Sequence, residues 1–287
     1  MATQRTQGLA AVLAGAFLLG FSAIFVRWAE PASPVVIGFY RMLFSLPCLV
    51  LMAWNSEVPR RDDRLRGYGW ALLGGLFFTT DLTCWHAAMH FTSAANATLL
   101  VGMAPLWVNL FAVLFLGTRL KSRAWLGLGL ALAGAALLAL AKGARFGNGE
   151  GERLACISSL CYAGYTLALG KARRSLSAPR AVAFVSLVCS AAFTGLVILR
   201  GDRLGGFPLR TWGALLALGL VVQAAAWWLV SRGLGHVRTN VAAVILLLQP
   251  VATVFLGWGL LREGLRPLQG FGTAVILAGI ALAAVDP

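Results

Sequence analysis

The 287-residue chain is short of charge, and shortest of acid. Asp and Glu number 10 against 24 Lys and Arg, charged residues make up 12%, and there are 3 His and 4 Tyr. Soluble domains carry about 25% charge, so a water-exposed globular domain is excluded. Catalysis finds little to work with. An intramembrane enzyme needs His, carboxylate or Ser/Lys groups clustered at a common depth, and no such cluster occurs. His86 and His90 stand at i, i+4, but no further His or Cys is placed to complete a metal set. No metal or other cofactor is expected. The cysteines, Cys48, Cys84, Cys156, Cys161 and Cys189, are odd in number and all lie in apolar runs, which fits small buried residues without disulfides. The glycine-rich segment Gly147-Asn148-Gly149-Glu150-Gly151 lacks the Gly-Lys-Ser/Thr ending of a phosphate-binding loop and reads as a flexible link, which argues against ATP hydrolysis.

What the chain has in abundance is long apolar runs. Hydrophobic residues make up 59%, and the mean hydropathy is +0.81. The runs fall at about 8 to 28, 34 to 54, 67 to 86, 94 to 116, 124 to 141, 154 to 170, 180 to 199, 211 to 230, 239 to 261 and 267 to 285, each near the ~20 residues that cross ~30 Å of hydrocarbon. The first, from Gly8 to Trp28, is too long for a signal-peptide core and reads as a retained span. The sequence therefore predicts an all-α integral membrane protein of ten transmembrane helices with no soluble domain.

The net charge of +14 would suggest nucleic acid in a soluble protein. Here the basic residues sit between the spans. With the N-terminus in the cytoplasm, the first half carries Arg5, Arg60, Arg61, Arg64, Arg66, Arg119, Lys121 and Arg123 inside and only Arg27 outside. That contrast predicts cytoplasmic termini in a bacterial inner membrane. The second half shows no such bias. The surplus charge reads as a topology signal and attraction to anionic membrane lipids, not as a nucleic-acid footprint.

The segment Ala97–Leu137 aligns without gaps with Ala242–Leu282 at an offset of 145, pairing Pro105 with Pro250, Gly127 with Gly272 and Ala133-Gly134 with Ala278-Gly279. The chain divides into five-helix halves at 1–146 and 147–287. Five is odd, so the second copy crosses the membrane in the opposite sense, the inverted repeat common in secondary transporters. Phe91-Thr92-Ser93-Ala94-Ala95-Asn96-Ala97, Ala104-Pro105-Leu106, Leu116-Gly117 and Trp125-Leu126-Gly127 to Ala133-Gly134 resemble the EamA-type unit of the drug/metabolite transporter superfamily. The second copy repeats it with Gln249-Pro250, Arg262-Glu263-Gly264-Leu265 and Gly272 to Gly279, and Arg41 resembles an arginine this family carries early in its second helix. The first copy departs from the pattern, with Thr118 where the family usually has glutamate. The resemblance implies an exporter of amino acids, other metabolites or drugs.

Two ionisable residues, Arg41 and Asp81, fall well inside spans, where each needs a partner or water. Their estimated depths allow an ion pair. It is either purely structural or part of a site where Arg41 takes a carboxylate and Asp81 an ammonium or a coupling proton. Phe77 and Trp85 share the Asp81 face at i±4. Asn96, Met103 and Trp107 lie on one face of the fourth span. The sixth span offers Ser158, Tyr162, Tyr165 and Thr166, the eighth Gln223 and Trp227, the ninth Gln249. Such groups suit a zwitterion with an apolar or aromatic side chain, although interhelical hydrogen bonds and interfacial belts use the same residues. Pro105 and Pro250 are expected to kink their spans, freeing the carbonyls of Val101 and Leu246 and marking a cavity wall. Glycines of the fifth and tenth spans permit close packing, within one chain or in a homodimer. The expected function is export of a small-molecule substrate, amino acids first, by alternating access. The alternative is efflux of cationic drugs.

Overall fold

The computed structural model describes residues 2–56, 61–92, 97, 100–117, 121–141, 143, 149–261, 264 and 266–284, and among them every regular element is a helix. Ten helical rods follow one another. They are α1 (Ala2–Leu19, continued by Phe21–Trp28), α2 (Pro34–Trp54), α3 (Arg61–Phe91), α4 (Ala104–Leu116), α5 (Ser122–Ala141), α6 (Glu150–Ala172), α7 (Ala178–Arg200), α8 (Leu209–Gly233), α9 (Thr239–Ile245, continued by Leu248–Leu261) and α10 (Pro267–Ala284).

Local chemistry sets the ends. Ser33 caps α2, its hydroxyl accepting from the Val36 N–H at 3.3 Å with Pro34 in the first turn, and Ser177 precedes α7 in the same extended conformation. Gly117 and Gly201 close α4 and α7 at φ 61° and 65°, the left-handed conformation glycine adopts without strain.

Four spans expected to be continuous are not. The backbone breaks at Gly20 in α1, turns at 102–103 ahead of α4 and at 246–247 in α9, and in α8 winds as a π-helix over Leu218–Ala226. The prolines do not kink uninterrupted helices. Pro105 sits in the first turn of α4, and Pro250 follows the new start at Leu248, where a missing N–H leaves no helical carbonyl unserved. The carbonyls singled out by the sequence are occupied: the Ser159 hydroxyl donates to Val101 O at 3.4 Å, and Leu246 O accepts from Gln249 N at 3.0 Å.

Six rods, α1, α2, α5, α7, α8 and α9, are long and apolar enough to cross a membrane, and Ala104–Leu114 and Pro267–Ala283 are shorter apolar helices. The chain is an integral membrane protein. The other two, α3 and α6, have 31 and 23 residues but carry Thr79, Thr80, Asp81, Thr83, Ser158, Ser159, Tyr162 and Tyr165. They pack on each other more extensively than any other pair. Thr79, Asp81, Ser158, Ser159 and Tyr165 are thus turned inward, while Thr80 is exposed and Leu51, Trp54, Ile198, Leu199 and Leu209 stand on the outside.

The packing repeats itself across the halves. The contact of α3 with α6 has its counterpart in α8 with α1, that of α3 with α7 in α8 with α2, and that of α4 with α6 in α9 with α1, while α2 packs on α7 and α5 on α10. The last pair shows the symmetry operation directly. A Cβ on Gly127 would lie 2.7 Å from Gly279 O, and one on Gly134 would lie 2.6 Å from Gly272 O. Gly127 and Gly134 are the repeat equivalents of Gly272 and Gly279, so each contact maps onto the other, as a two-fold axis between antiparallel helices requires. Close glycine packing is therefore used within the chain. Leucine at Gly134 or Gly279 should force backbones apart, an overpacking cost of about 1–3 kcal/mol, and lower the thermal stability of the purified protein by several degrees. Leucine at Gly129, where a Cβ meets nothing within 4 Å, should leave it unchanged. Equal stability of all three would contradict the assigned packing.

Candidate functional site

The polar residues of the interior converge where α2, α3, α6, α7 and α8 meet. Backbone approach puts them there. Gly219 lets α8 touch α2, since a Cβ would lie 2.6 Å from the Phe44 Cβ. Gln223 stands one turn after Gly219 on α8, and Arg41 three residues before Phe44 on the parallel α2. On the other side Gly75 brings α3 against α7, where a Cβ would lie 2.7 Å from the Val188 Cβ and the Cys189 thiol meets Gly75 O at 3.3 Å. Phe78 and Asp81 follow on the next turns of α3.

Arg41 is 4% exposed. Its Nε donates to Gln223 Oε1 at 3.1 Å, and its guanidinium carbon lies 5.6 Å from the Phe78 ring centroid. Gln223 is fully buried and donates from Nε2 to the Ser186 hydroxyl at 3.1 Å. Both ends of the amide are thereby fixed, oxygen toward the cation and nitrogen toward α7. Among the described residues no other hydrogen bond engages the guanidinium, so its two terminal nitrogens have no protein acceptor. Asp81, 5% exposed, accepts from the Ser158 hydroxyl at 2.5 Å through Oδ1. Arg41 and Asp81 belong to one electrostatic cluster but, among the described residues, do not form the ion pair that their depths allow. Gln223 and Ser158 are their hydrogen-bonding partners, and these satisfy each charge only in part.

Aromatic rings wall this cluster. Tyr165 stacks on Phe78 with centroids 4.3 Å apart, and Trp227 meets Tyr165 edge-on at 4.7 Å, Phe78 at 5.5 Å and Tyr162 at 6.0 Å. The site candidates thus divide. Arg41, Asp81, Tyr162, Tyr165, Gln223 and Trp227 are brought together. Trp107 packs beside Tyr162 on Ala104, Val108, Ala163 and Ala243. Phe77 fills the space over Gly164, and Trp85 lies one turn from Asp81 against His86 and the alanines Ala88, Ala97 and Ala155. Met103 and Gln249 are half-buried at the two backbone breaks. Asn96 lies outside the described residues, as do Thr118 and Glu263. Among the described residues no three His, Cys, Asp or Glu side chains could hold a metal ion.

Sequence reasoning passed over Phe78 and Ser186. Phe78 stands three residues before Asp81 and so shares its face as well as Phe77 does; Ser186 carried no signal of its own. It also passed over the register of the repeat. Ser33 and Ser177, Arg66 and Arg210, Gly69 and Gly213, and Gly75 and Gly219 are each 144 residues apart, whereas the pairs from Ala97 and Ala242 onward are 145 apart. The second copy therefore has one extra residue between Gly219 and Ala242, the interval into which the π-helical Leu218–Ala226 runs. A π-turn is how a helix absorbs one residue, and such bulges gather at functional sites. Gln223 lies in it and Trp227 directly follows it.

Comparison with known proteins gives a concordant picture. The profile of the EamA-like transporter family matches residues 6–140 and again 150–285. A Bacillus subtilis protein described as an uncharacterized transporter, YwfM, is 26% identical over 96% of this chain and 93% of its own length. An uncharacterized transporter of Archaeoglobus fulgidus is 29% identical over 96% of both. The pseudopaline exporter CntI of Pseudomonas aeruginosa is 28% identical over 96% of this chain and 94% of its own. A crystal structure at 19% identity superposes with a TM-score of 0.84 over 97% of this chain and 96% of that one, which shows a shared fold.

If Gln223 serves chiefly to hold Arg41, Gln223→Leu should destabilise the protein by about 2 kcal/mol by leaving a buried cation without its acceptor. The Arg41→Met, Gln223→Leu double variant should recover most of that loss in the same thermal-unfolding assay. Additive losses would show that the two residues are not coupled.

Proposed function

The chain belongs to the EamA-like transporter family, and from that premise we propose that it is a secondary active exporter of small zwitterionic metabolites, amino acids first among them. The observation that carries this reading is the pairing of half-satisfied opposite charges inside the membrane. Among the described residues the terminal nitrogens of Arg41 have no acceptor and Asp81 uses only one oxygen, both beside an aromatic box. A cation and a carboxylate left partly open are costly in hydrocarbon unless something completes them. A ligand carrying both a carboxylate and an ammonium does so, the first on Arg41 and the second on Asp81.

The site lies where helices of the two repeats meet, the position at which rocking of one half against the other alternately opens either face. The pseudo-two-fold packing supports that motion, and the name of the Pseudomonas relative supports export as its direction. Efflux of simple cations fits less well, because Arg41 would repel them from the same cluster. Asp81 is the group suited to a coupling proton. The titratable groups around it are Arg41 from α2, Cys84 on α3 itself, Cys161, Tyr162 and Tyr165 from α6, and Cys189 from α7. Arg41 is the one permanent cation among these. The basic residues of the first half support a bacterial inner-membrane location with both termini in the cytoplasm.

The test is export of radiolabelled amino acids from proteoliposomes beside efflux of a cationic dye. Arg41→Gln and Asp81→Asn should each lower amino-acid export about tenfold or more, the loss of one charge-assisted hydrogen bond, and Asp81→Asn should also flatten its pH dependence. Normal rates with unchanged pH dependence in both variants, or dye efflux without amino-acid export, would overturn the reading.

A further inference from the structure

Two buried donors in the cluster have no role in the binding of a plain zwitterion. The Tyr165 hydroxyl and the Trp227 indole Nε1 are buried, on residues 0% and 1% exposed, and neither has a hydrogen-bond partner among the described residues. Buried side-chain polar atoms are partnered in the large majority of cases, and each exception calls for a specific occupant. Two such exceptions on adjacent helices, in rings 4.7 Å apart, are not independent. Both rings also contact Phe78, the ring on which the Arg41 cation rests. The orphaned atoms therefore belong to the aromatic cluster on which the Arg41 cation rests.

The chemistry of the missing partner follows from the donors themselves. An indole N–H can only donate, and a phenol has a hydrogen to give. Acceptors of the protein are already engaged nearby, Gln223 Oε1 by Arg41 and Asp81 Oδ1 by Ser158. The cluster has a surplus of donors. A zwitterion with a hydrocarbon side chain would complete Arg41 and Asp81 and leave both orphans unserved. A side chain ending in an acceptor would serve them, and a planar one would also lie against the aromatic walls.

We propose that Tyr165 and Trp227 are specificity-determining residues that select substrates whose side chain carries a hydrogen-bond acceptor on a planar group over substrates with a hydrocarbon group of the same shape. The chemical class is an amino-acid-type zwitterion bearing a heteroaromatic nitrogen, an amide carbonyl or a second carboxylate. The assignment rests on the reading of the site as one for zwitterions. It goes beyond that reading in fixing which side of the substrate is polar.

Phenylalanine and 3-(4-pyridyl)alanine are the probes, since one ring CH replaced by an acceptor nitrogen is their only difference. Export of both from proteoliposomes containing the full chain is measured with the pyridine unprotonated. Expected is a ratio of kcat/KM of about tenfold or more in favour of the pyridyl compound, since a site built around hydrogen bonds rejects the analogue that lacks them. Tyr165→Phe and Trp227→Phe should each bring the ratio toward one, and being a ratio it does not depend on how much protein folds. A wild-type ratio near one, as when ordered water serves both donors, overturns the proposal. So does a preference that survives in both variants. Export of neither compound, nor of any other amino acid, would instead overturn the zwitterion reading beneath it.

Discussion

A permanent positive charge in a hydrocarbon slab is the constraint around which this molecule is arranged. Arg41 keeps its proton, and buried within an apolar span it needs protein partners or water. The protein answers with one neutral acceptor, Gln223, and one aromatic face, Phe78. Each is supplied by a different helix, and Gln223 is itself held by Ser186 on a third. Four helices from both halves are thereby committed to one point. Because the answer is partial, leaving two guanidinium nitrogens unclaimed, the same arrangement that makes the charge tolerable makes it available.

One asymmetry of the two halves falls at that point. The α5–α10 crossing obeys the two-fold relation, with glycines that exchange contacts across it, whereas α1 breaks at Gly20 and its counterpart α6 does not. At the centre α3 runs as an uninterrupted α-helix through Phe78 and Asp81, while its counterpart α8 winds into a π-helix through Gln223. The two related helices thus carry different polar groups near one axis, a carboxylate on one and an amide on the other. Transport needs two halves alike enough to exchange roles, and recognition of a substrate with unlike ends needs them to differ.

Much of this was legible in the amino-acid sequence, and the reasons differ from residue to residue. The membrane character, the helical rods and the repeat follow from long apolar runs and in-register prolines and glycines, which few other architectures require. Arg41 and Asp81 stood out because ionisable residues in apolar runs are rare. Their partners did not, because an ion pair between them is the simplest inference from composition, whereas the hydrogen bonds to Gln223 and Ser158 depend on helix rotations set by Gly219 and by the α3–α6 packing. Phe78 and Phe77 are indistinguishable by type and spacing from Asp81, and only the position of Gly164 sends Phe77 elsewhere. The prolines marked the correct places but the wrong deformation, because a turn followed by a fresh helix start resembles a kink in sequence. The change of repeat offset from 144 to 145 was present in the sequence, carried by glycines and arginines outside the stretch that aligned most clearly.

The central claim is that Arg41 is held half-satisfied so that a substrate carboxylate completes it. The most direct measurement is solid-state NMR of the reconstituted protein with guanidinium-labelled arginine and a carboxylate-labelled amino acid that it exports, reading dipolar coupling between guanidinium nitrogen and carboxylate carbon. A direct ion pair, with nitrogen and oxygen within about 4 Å, gives a strong coupling that is absent in Arg41→Lys. Bound ligand with no such coupling in the wild type, or with the same coupling in the variant, would contradict the account.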